Sequence, residues 1–89
     1  MPSIVEELAP VITSYIELLA SDYLEKNRGL TKLERELVKT LAAVAVERYL
    51  KEAIESDSPA ETLKKRVEQS REIYFKTFAD SVFVEMEGL

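Results

Sequence analysis

The sequence predicts an all-α fold, with three long helices in an up-down-up antiparallel bundle completed by oligomerisation or by a partner chain. Three observations carry that expectation. First, Ser3-Ile4-Val5-Glu6, Thr31-Lys32-Leu33-Glu34 and Ser58-Pro59-Ala60-Glu61 each put a hydroxyl at a cap position and a glutamate three residues on, so both can satisfy orphan backbone N–H groups at a helix start. Second, apolar residues between these starts recur at three- and four-residue spacing, with no strand-type alternation, internal repeat or low-complexity tract. Third, the links are only a few residues long, which forces consecutive helices to lie side by side in opposite directions. The 89 residues are read as a single helical domain over 1–89, with helices at about 4–26, 32–56 and 59–87.

The first helix should carry Leu8, Val11, Ile12, Tyr15, Ile16, Leu18, Leu19 and Tyr23 within about 160° of arc, a normal core stripe. Glu6, Thr13, Ser14, Glu17 and Ser21 lie opposite. Pro10 is the exception, because inside a helix it removes a hydrogen bond and crowds the preceding turn. Either the helix kinks there or residues 3–8 form a separate turn. Asn27-Arg28-Gly29-Leu30 ends the helix, with Asn27 or Gly29 suited to the left-handed closing conformation. In the third helix Pro59 fits the first position, where its missing N–H costs nothing, and Gly88 stops the far end.

The apolar content exceeds what a simple bundle asks. About 75 helical positions need roughly 32 apolar residues, and 46% of the chain is apolar. The surplus is concentrated in two places. Leu41-Ala42-Ala43-Val44-Ala45-Val46 points in every direction around the second helix, as in a helix surrounded by others. The third helix changes character midway, from Leu63 and Val67 among charged residues to Tyr74, Phe75, Phe78 and Phe83. On a regular helix, Leu63, Val67, Tyr74 and Phe78 form one stripe facing the bundle. Phe75, Ala79, Val82, Phe83 and Met86 form a second stripe about 100° around. A helix with two apolar faces needs two partners, so Phe75, Ala79, Val82, Phe83 and Met86, with Ala42 and Val46 beneath or beside them, are the expected protein interface.

Composition removes most enzyme mechanisms. The chain has no cysteine and no histidine, hence no thiolate nucleophile, no disulfide, no Cys-based zinc site and no imidazole base. Glutamate pairs such as Glu34 with Glu36, Glu47 with Glu55, and Glu68 with Glu72 lack the Glu-x-x-His partner of di-iron bundles. Tyr15, Tyr23, Tyr49 and Tyr74 lie on or near apolar stripes, where a ring packs and its hydroxyl stays wet. No catalytic residue, metal or cofactor is expected. No apolar run spans a bilayer, and the N-terminus lacks the pattern of a signal peptide. The expectation is therefore a soluble, cytoplasmic protein. Its scarcity of side-chain amides and abundance of Glu, Lys and Arg resemble a thermophile balance.

Charge is unevenly placed within a net of −5. Residues 1–25 hold five acids and no base, residues 26–76 hold twelve bases and nine acids, and residues 77–89 hold three acids and no base. Lys26, Arg28, Lys32, Arg35 and Lys39 cluster around the first link, the candidate anion contact of an alternative reading: an accessory factor of a nucleic-acid-processing complex. Interleaved glutamates and the acidic total argue against a surface that tracks phosphates directly. Leu30-Thr31-Lys32-Leu33-Glu34-Arg35-Glu36-Leu37-Val38 running into an alanine-rich helix, then Lys51-Glu52-Ala53-Ile54, resembles the helix pair of the carboxymuconolactone decarboxylase and alkylhydroperoxidase-D group. Members of that group would carry a Cys-x-x-Cys and a histidine here, so the resemblance implies no redox activity for this chain. The leading expectation is a small non-catalytic interaction subunit that binds itself or a larger protein.

Overall fold

The computed structural model describes residues 4–88, which are helical apart from two links, with no strand among the described residues. Helix α1 spans Ile4–Lys26, α2 spans Lys32–Ile54, and a third rod is built from α3 (Pro59–Gln69), a π-helical turn (Ser70–Tyr74) and α4 (Phe75–Glu87). Neighbours across the elements run Leu8 beside Pro59 and Ala60, Asp22 beside Arg71, and Tyr23 beside Phe75 and Phe83. The molecule is elongated, 46 × 22 × 19 Å, because the third rod is the longest and its end is the most exposed.

Helix α1 continues through Pro10 without a break, so residues 4–8 belong to the same helix. The Ser3 cap lies outside the described residues. Leu8, Leu19, Ala20 and Tyr23 are buried, and Val11, Ile12, Tyr15, Ile16 and Leu18 are half-buried. Glu6, Thr13, Ser14, Glu17 and Ser21 face solvent. The helix closes without any residue in the left-handed region, contrary to the expectation for Asn27 or Gly29. Asn27 closes it instead through its side chain, whose Nδ2 donates to the Tyr23 carbonyl at 2.9 Å. That satisfies one of the last orphan carbonyls directly.

Helix α2 starts as its sequence motif dictates. The Thr31 hydroxyl accepts the Glu34 N–H at 3.2 Å, and Glu34 Oε1 accepts the Thr31 N–H at 2.9 Å. The backbone bond first, and then the hydroxyl, hold the Glu34 carboxyl below its ordinary pKa. The helix stops at Ile54, two residues before the expected end. Ser56 turns back there, its N–H donating to the Ala53 carbonyl at 3.0 Å and its hydroxyl lying 2.9 Å from Thr62 Oγ1. Within the apolar run, Leu41, Ala42, Ala45 and Val46 are buried and Ala43 is half-buried, but Val44 is 36% exposed. Helix α2 is central without being fully surrounded, because α1 and the third rod cover two sides only.

The third rod departs most from expectation. Ser58 makes no side-chain cap bond, and α3 begins instead on the Ser58 carbonyl, which accepts the Thr62 N–H at 2.9 Å. About three turns on, the Phe75 N–H donates to the Ser70 carbonyl, an i to i+5 bond. A π-turn holds one residue more than an α-turn. The buried series is therefore Leu63, Val67, Ser70, Phe75, Ala79, with a five-residue step where a regular helix would take four. That extra residue rotates all of α4 by about 100° relative to a regular helix. It joins the Leu63–Val67 stripe to the Phe75–Ala79 stripe, and Tyr74 turns outward, 55% exposed. What read as two apolar faces of one helix is largely a single face that changes register.

The interior is small and apolar. Leu19, Val38, Val46, Leu63 and Val67 are fully buried, each worth about 1.5–3 kcal/mol relative to exposure. Ser70 is the only buried polar side chain among the described residues, and its Oγ meets the Tyr49 hydroxyl at 2.8 Å. A buried hydroxyl without a partner would cost on the order of 1–3 kcal/mol. Tyr49 thereby secures the π-turn to α2.

Candidate functional site

The two flanks of the third rod differ in chemistry. On the α1 flank, charge and hydrogen bonds close the seam. Arg71 Nε donates to Asp22 Oδ2 at 2.6 Å, with a second contact from Nη2 to Oδ1 at 3.4 Å. The fork-like geometry fixes orientation as well as distance, and Asp22 holds the Arg71 pKa above its ordinary value. Tyr23 lies edge-on to Phe75, centroids 5.9 Å apart, and stacks on Phe83 at 6.1 Å. Its hydroxyl donates to Asp80 Oδ1 at 2.7 Å, and Lys76 Nζ donates to Asp80 Oδ2 at 2.6 Å. Burial first, and then the Asp80 carboxylate, push the Tyr23 phenol pKa up. Lys76 first, and then Tyr23, hold the Asp80 carboxyl below its ordinary value. Every polar group of this cluster has a partner, and the cavity beneath Tyr23 and Phe75 is about 10 Å³, room for a single water at most.

On the α2 flank the same rod leaves an open apolar groove. Val44, Ala45, Tyr49, Phe75 and Phe78 line a hollow of about 120 Å³ with Arg48 at its edge. The Arg48 guanidinium sits 5.8 Å from the Phe78 ring centroid. Arg66 sits 5.3 Å from Tyr49 and 5.9 Å from Tyr74, with its Nε 3.0 Å from Glu52 Oε2. That nitrogen is buried yet makes no aligned hydrogen bond, so the guanidinium is held by ring faces and charge more than by directional bonds. Ile73, one residue before Tyr74 in the π-turn, is 62% exposed. Aromatic rings with arginines over them are residue types enriched at protein interfaces.

Of the residues expected at an interface, Phe75, Ala79, Ala42 and Val46 are buried within the chain and present almost no side-chain surface to another protein. The π-turn is the physical reason for Phe75 and Ala79, and central packing of α2 accounts for Ala42 and Val46. Val82 and Phe83 are half-buried, and Met86 is exposed near the end of α4. Sequence reasoning placed Tyr74 and Phe78 inward and did not single out Val44, Arg48 or Arg66 for the interface. The available signal was the five-residue gap between Ser70 and Phe75, a spacing that only a π-turn converts into one stripe.

The basic cluster is spread along the first link and the start of α2. Lys26, Arg28, Lys32, Arg35 and Lys39 are exposed, but Lys39 pairs with Glu36 at 3.4 Å, and Lys26 borders a groove shared with Asp22, Glu68, Arg71 and Glu72. Acidic neighbours thus dilute the positive field. The glutamates behave similarly, with Glu47 paired to Lys51 at 3.5 Å. Among the described residues no group of side chains is placed to hold a metal ion, and no helix is long and apolar enough to cross a membrane. Comparison with protein families, with curated proteins and with solved structures finds no match to this chain.

Proposed function

We propose that this chain is a small non-catalytic interaction subunit, an up-down-up helical unit whose working surface is the α2 flank of the third rod. The carrying observation is the groove of Val44, Tyr49 and Phe78, with Arg48 and Arg66 over its rings and Tyr74 exposed beside it. An arginine stacked on an aromatic face loses little conformational freedom on binding and brings both apolar area and a charge. No large apolar side chain of α1 is comparably exposed among the described residues. The surface supports association with protein, and the first-link basic residues contribute solubility more than an anion site.

The test is a photo-reactive side chain placed at Tyr74 and, separately, at Ser21, which is exposed on α1. Irradiation in cells should give protein adducts from position 74 and none from position 21. No adduct from position 74 would end this reading.

A further inference from the structure

We propose that the π-turn is a register switch. It moves one turn along the third rod, from Ser70–Tyr74 to 74–78, and draws the Tyr74 ring into the core place of Phe75, away from the α2 flank. The switch belongs to the single chain and goes beyond the interaction reading. Helix geometry permits the move. A π-turn holds one extra residue, so it can change position while the helix on either side keeps its phase. Its five residues share the arc of about 400° that four take in a regular helix, and moving it past Tyr74 rotates Tyr74 and Phe75 by about 80° each. Leu63, Val67 and Ser70 before the turn and Ala79 beyond it stay where they are buried now. The hydroxyl bonds of Tyr49 with Ser70 and of Tyr23 with Asp80, at 2.8 and 2.7 Å, hold in both registers. What is given up lies at the surface, where Lys76 leaves Asp80 and Tyr74 leaves Arg66.

The residues at the turn suit two registers. Ile73, Tyr74 and Phe75 are three large side chains in succession, yet the core holds only Phe75, 3% exposed, while Ile73 and Tyr74 are 62% and 55% exposed. A turn that stays in place needs one of them. A turn that moves needs a second ring to fill the core, and Tyr74 supplies it. Space is available around the ring that must leave, because Phe75 borders both the 120 Å³ hollow beside α2 and the 10 Å³ cavity beneath Tyr23. That small cavity is lined by Asp22 and Asn27, polar groups that a phenyl ring cannot use. Tyr74 in the same place sets its hydroxyl among them, where there is room for one oxygen. Burying a phenol still costs more than burying a phenyl ring, so Phe75 holds the core in the major register. The shifted register is a minor one of about 1–10%, within the range of populated alternative conformations.

The experiment is fluorine NMR of the full chain carrying a fluorotyrosine at position 74 and, separately, at position 15 on α1. Position 74 should give an exposed major resonance in slow exchange with a buried minor one, and position 15 should show no exchange at that rate. Phe75→Leu keeps the core place apolar but fills it less well, and should raise the buried fraction at position 74 at least fivefold. The parent chain is measured first, so the exchange itself decides the matter if the variant fails to fold. A parent without exchange at position 74 overturns the switch, as does a folded Phe75→Leu with an unchanged buried fraction. The same exchange at position 15 would mean opening of the whole chain and overturns it equally. None of these results touches the interaction reading, which the adducts from a photo-reactive position 74 test by themselves.

Discussion

The α1 flank and the α2 flank of the third rod bury neighbouring sides of the same helix, yet one is locked and the other is open. The lock is polar. Tyr23, Asp80 and Lys76 form a chain of bonds at 2.7 and 2.6 Å, and Asp22 grips Arg71 close by. Across the rod, arginines lie on rings at 5.3 to 5.9 Å and Val44 meets solvent. Directional bonds fix a seam in one geometry, whereas ring faces and guanidinium planes can be shared with an incoming surface. On the function proposed above, stability belongs to the first flank and recognition to the second.

The largest break in this comparison comes from truncating one tyrosine on each side. Tyr23→Ala removes a buried ring packed on Phe75 and Phe83 and strands Asp80 without its phenol. A loss of about 3–5 kcal/mol is expected, enough to unfold much of a small domain whose whole stability is about 5–15 kcal/mol. Tyr74→Ala removes an exposed ring and should change stability by about 0.5 kcal/mol or less, yet it should weaken association. Urea melts of the two variants separate the flanks directly. Equal losses would show that the α2 flank is structural as well.

Deleting Ile73 asks whether the π-turn exists for stability or for display. The deletion turns the Ser70-to-Phe75 step into four residues, so Leu63, Val67, Ser70, Phe75 and Ala79 fall on one regular α-helical stripe and the core is kept. The chain should fold with its stability unchanged or raised by about 1 kcal/mol, because a regular α-turn replaces a rare π-turn. Association through the α2 flank should nevertheless fall, since Tyr74 is re-aimed. Amide exchange across 68–76 provides the readout. A deletion variant that unfolds would mean the π-turn is required by packing, through Ser70 and Tyr49.

How much of this was legible in the sequence depends on the range of the interaction that decides each feature. The all-helical content was, because caps and periodicity are local. Thr31 and Glu34 form the reciprocal bonds their spacing implies. Ser58 carries the same motif and makes no side-chain cap bond, since Ser56 and Thr62 already tie that link together. The helical period of residues 59–87 was readable, but its phase was not. An i to i+5 bond at Phe75 is selected by tertiary packing: burial of Phe75 beside Tyr23 and of Ser70 beside Tyr49. A fixed 100° step carried past that turn misplaces Tyr74, Phe75 and Ala79: Tyr74 turns outward and Phe75 and Ala79 turn in, while Phe78 stays packed against the core.

The locked flank should also announce itself through pH. Asp80 has a folded-state pKa below its unfolded value, near 3.9, so its contribution is present above that value and is lost as pH falls through the lowered folded pKa. Tyr23 is the mirror case. Its raised folded pKa gives stability that is present below the unfolded value, near 10, and lost only as pH rises through the folded one. Asp80→Asn should flatten the acid limb of a thermal-midpoint profile, leaving neutral-pH stability modestly reduced because Asp80 is half exposed. A profile as steep as that of the parent would remove Asp80 from the lock.

The smallest effect is expected where the open flank touches itself. Arg48 over Phe78 is an exposed cation–π contact, worth about 0.5–1 kcal/mol at such a site. Arg48→Met keeps a flexible, apolar side chain over the ring and should lower stability by no more than about that amount. The recognition argument makes a sharper demand of the same variant. If the guanidinium serves an incoming surface, Arg48→Met should cost association more than it costs folding, whereas Arg71→Met on the locked flank, having lost its grip on Asp22, should do the reverse. Paired measurements of unfolding and dissociation on these two arginines therefore test the division between the flanks with a single type of substitution. A matching ratio for both would collapse the distinction.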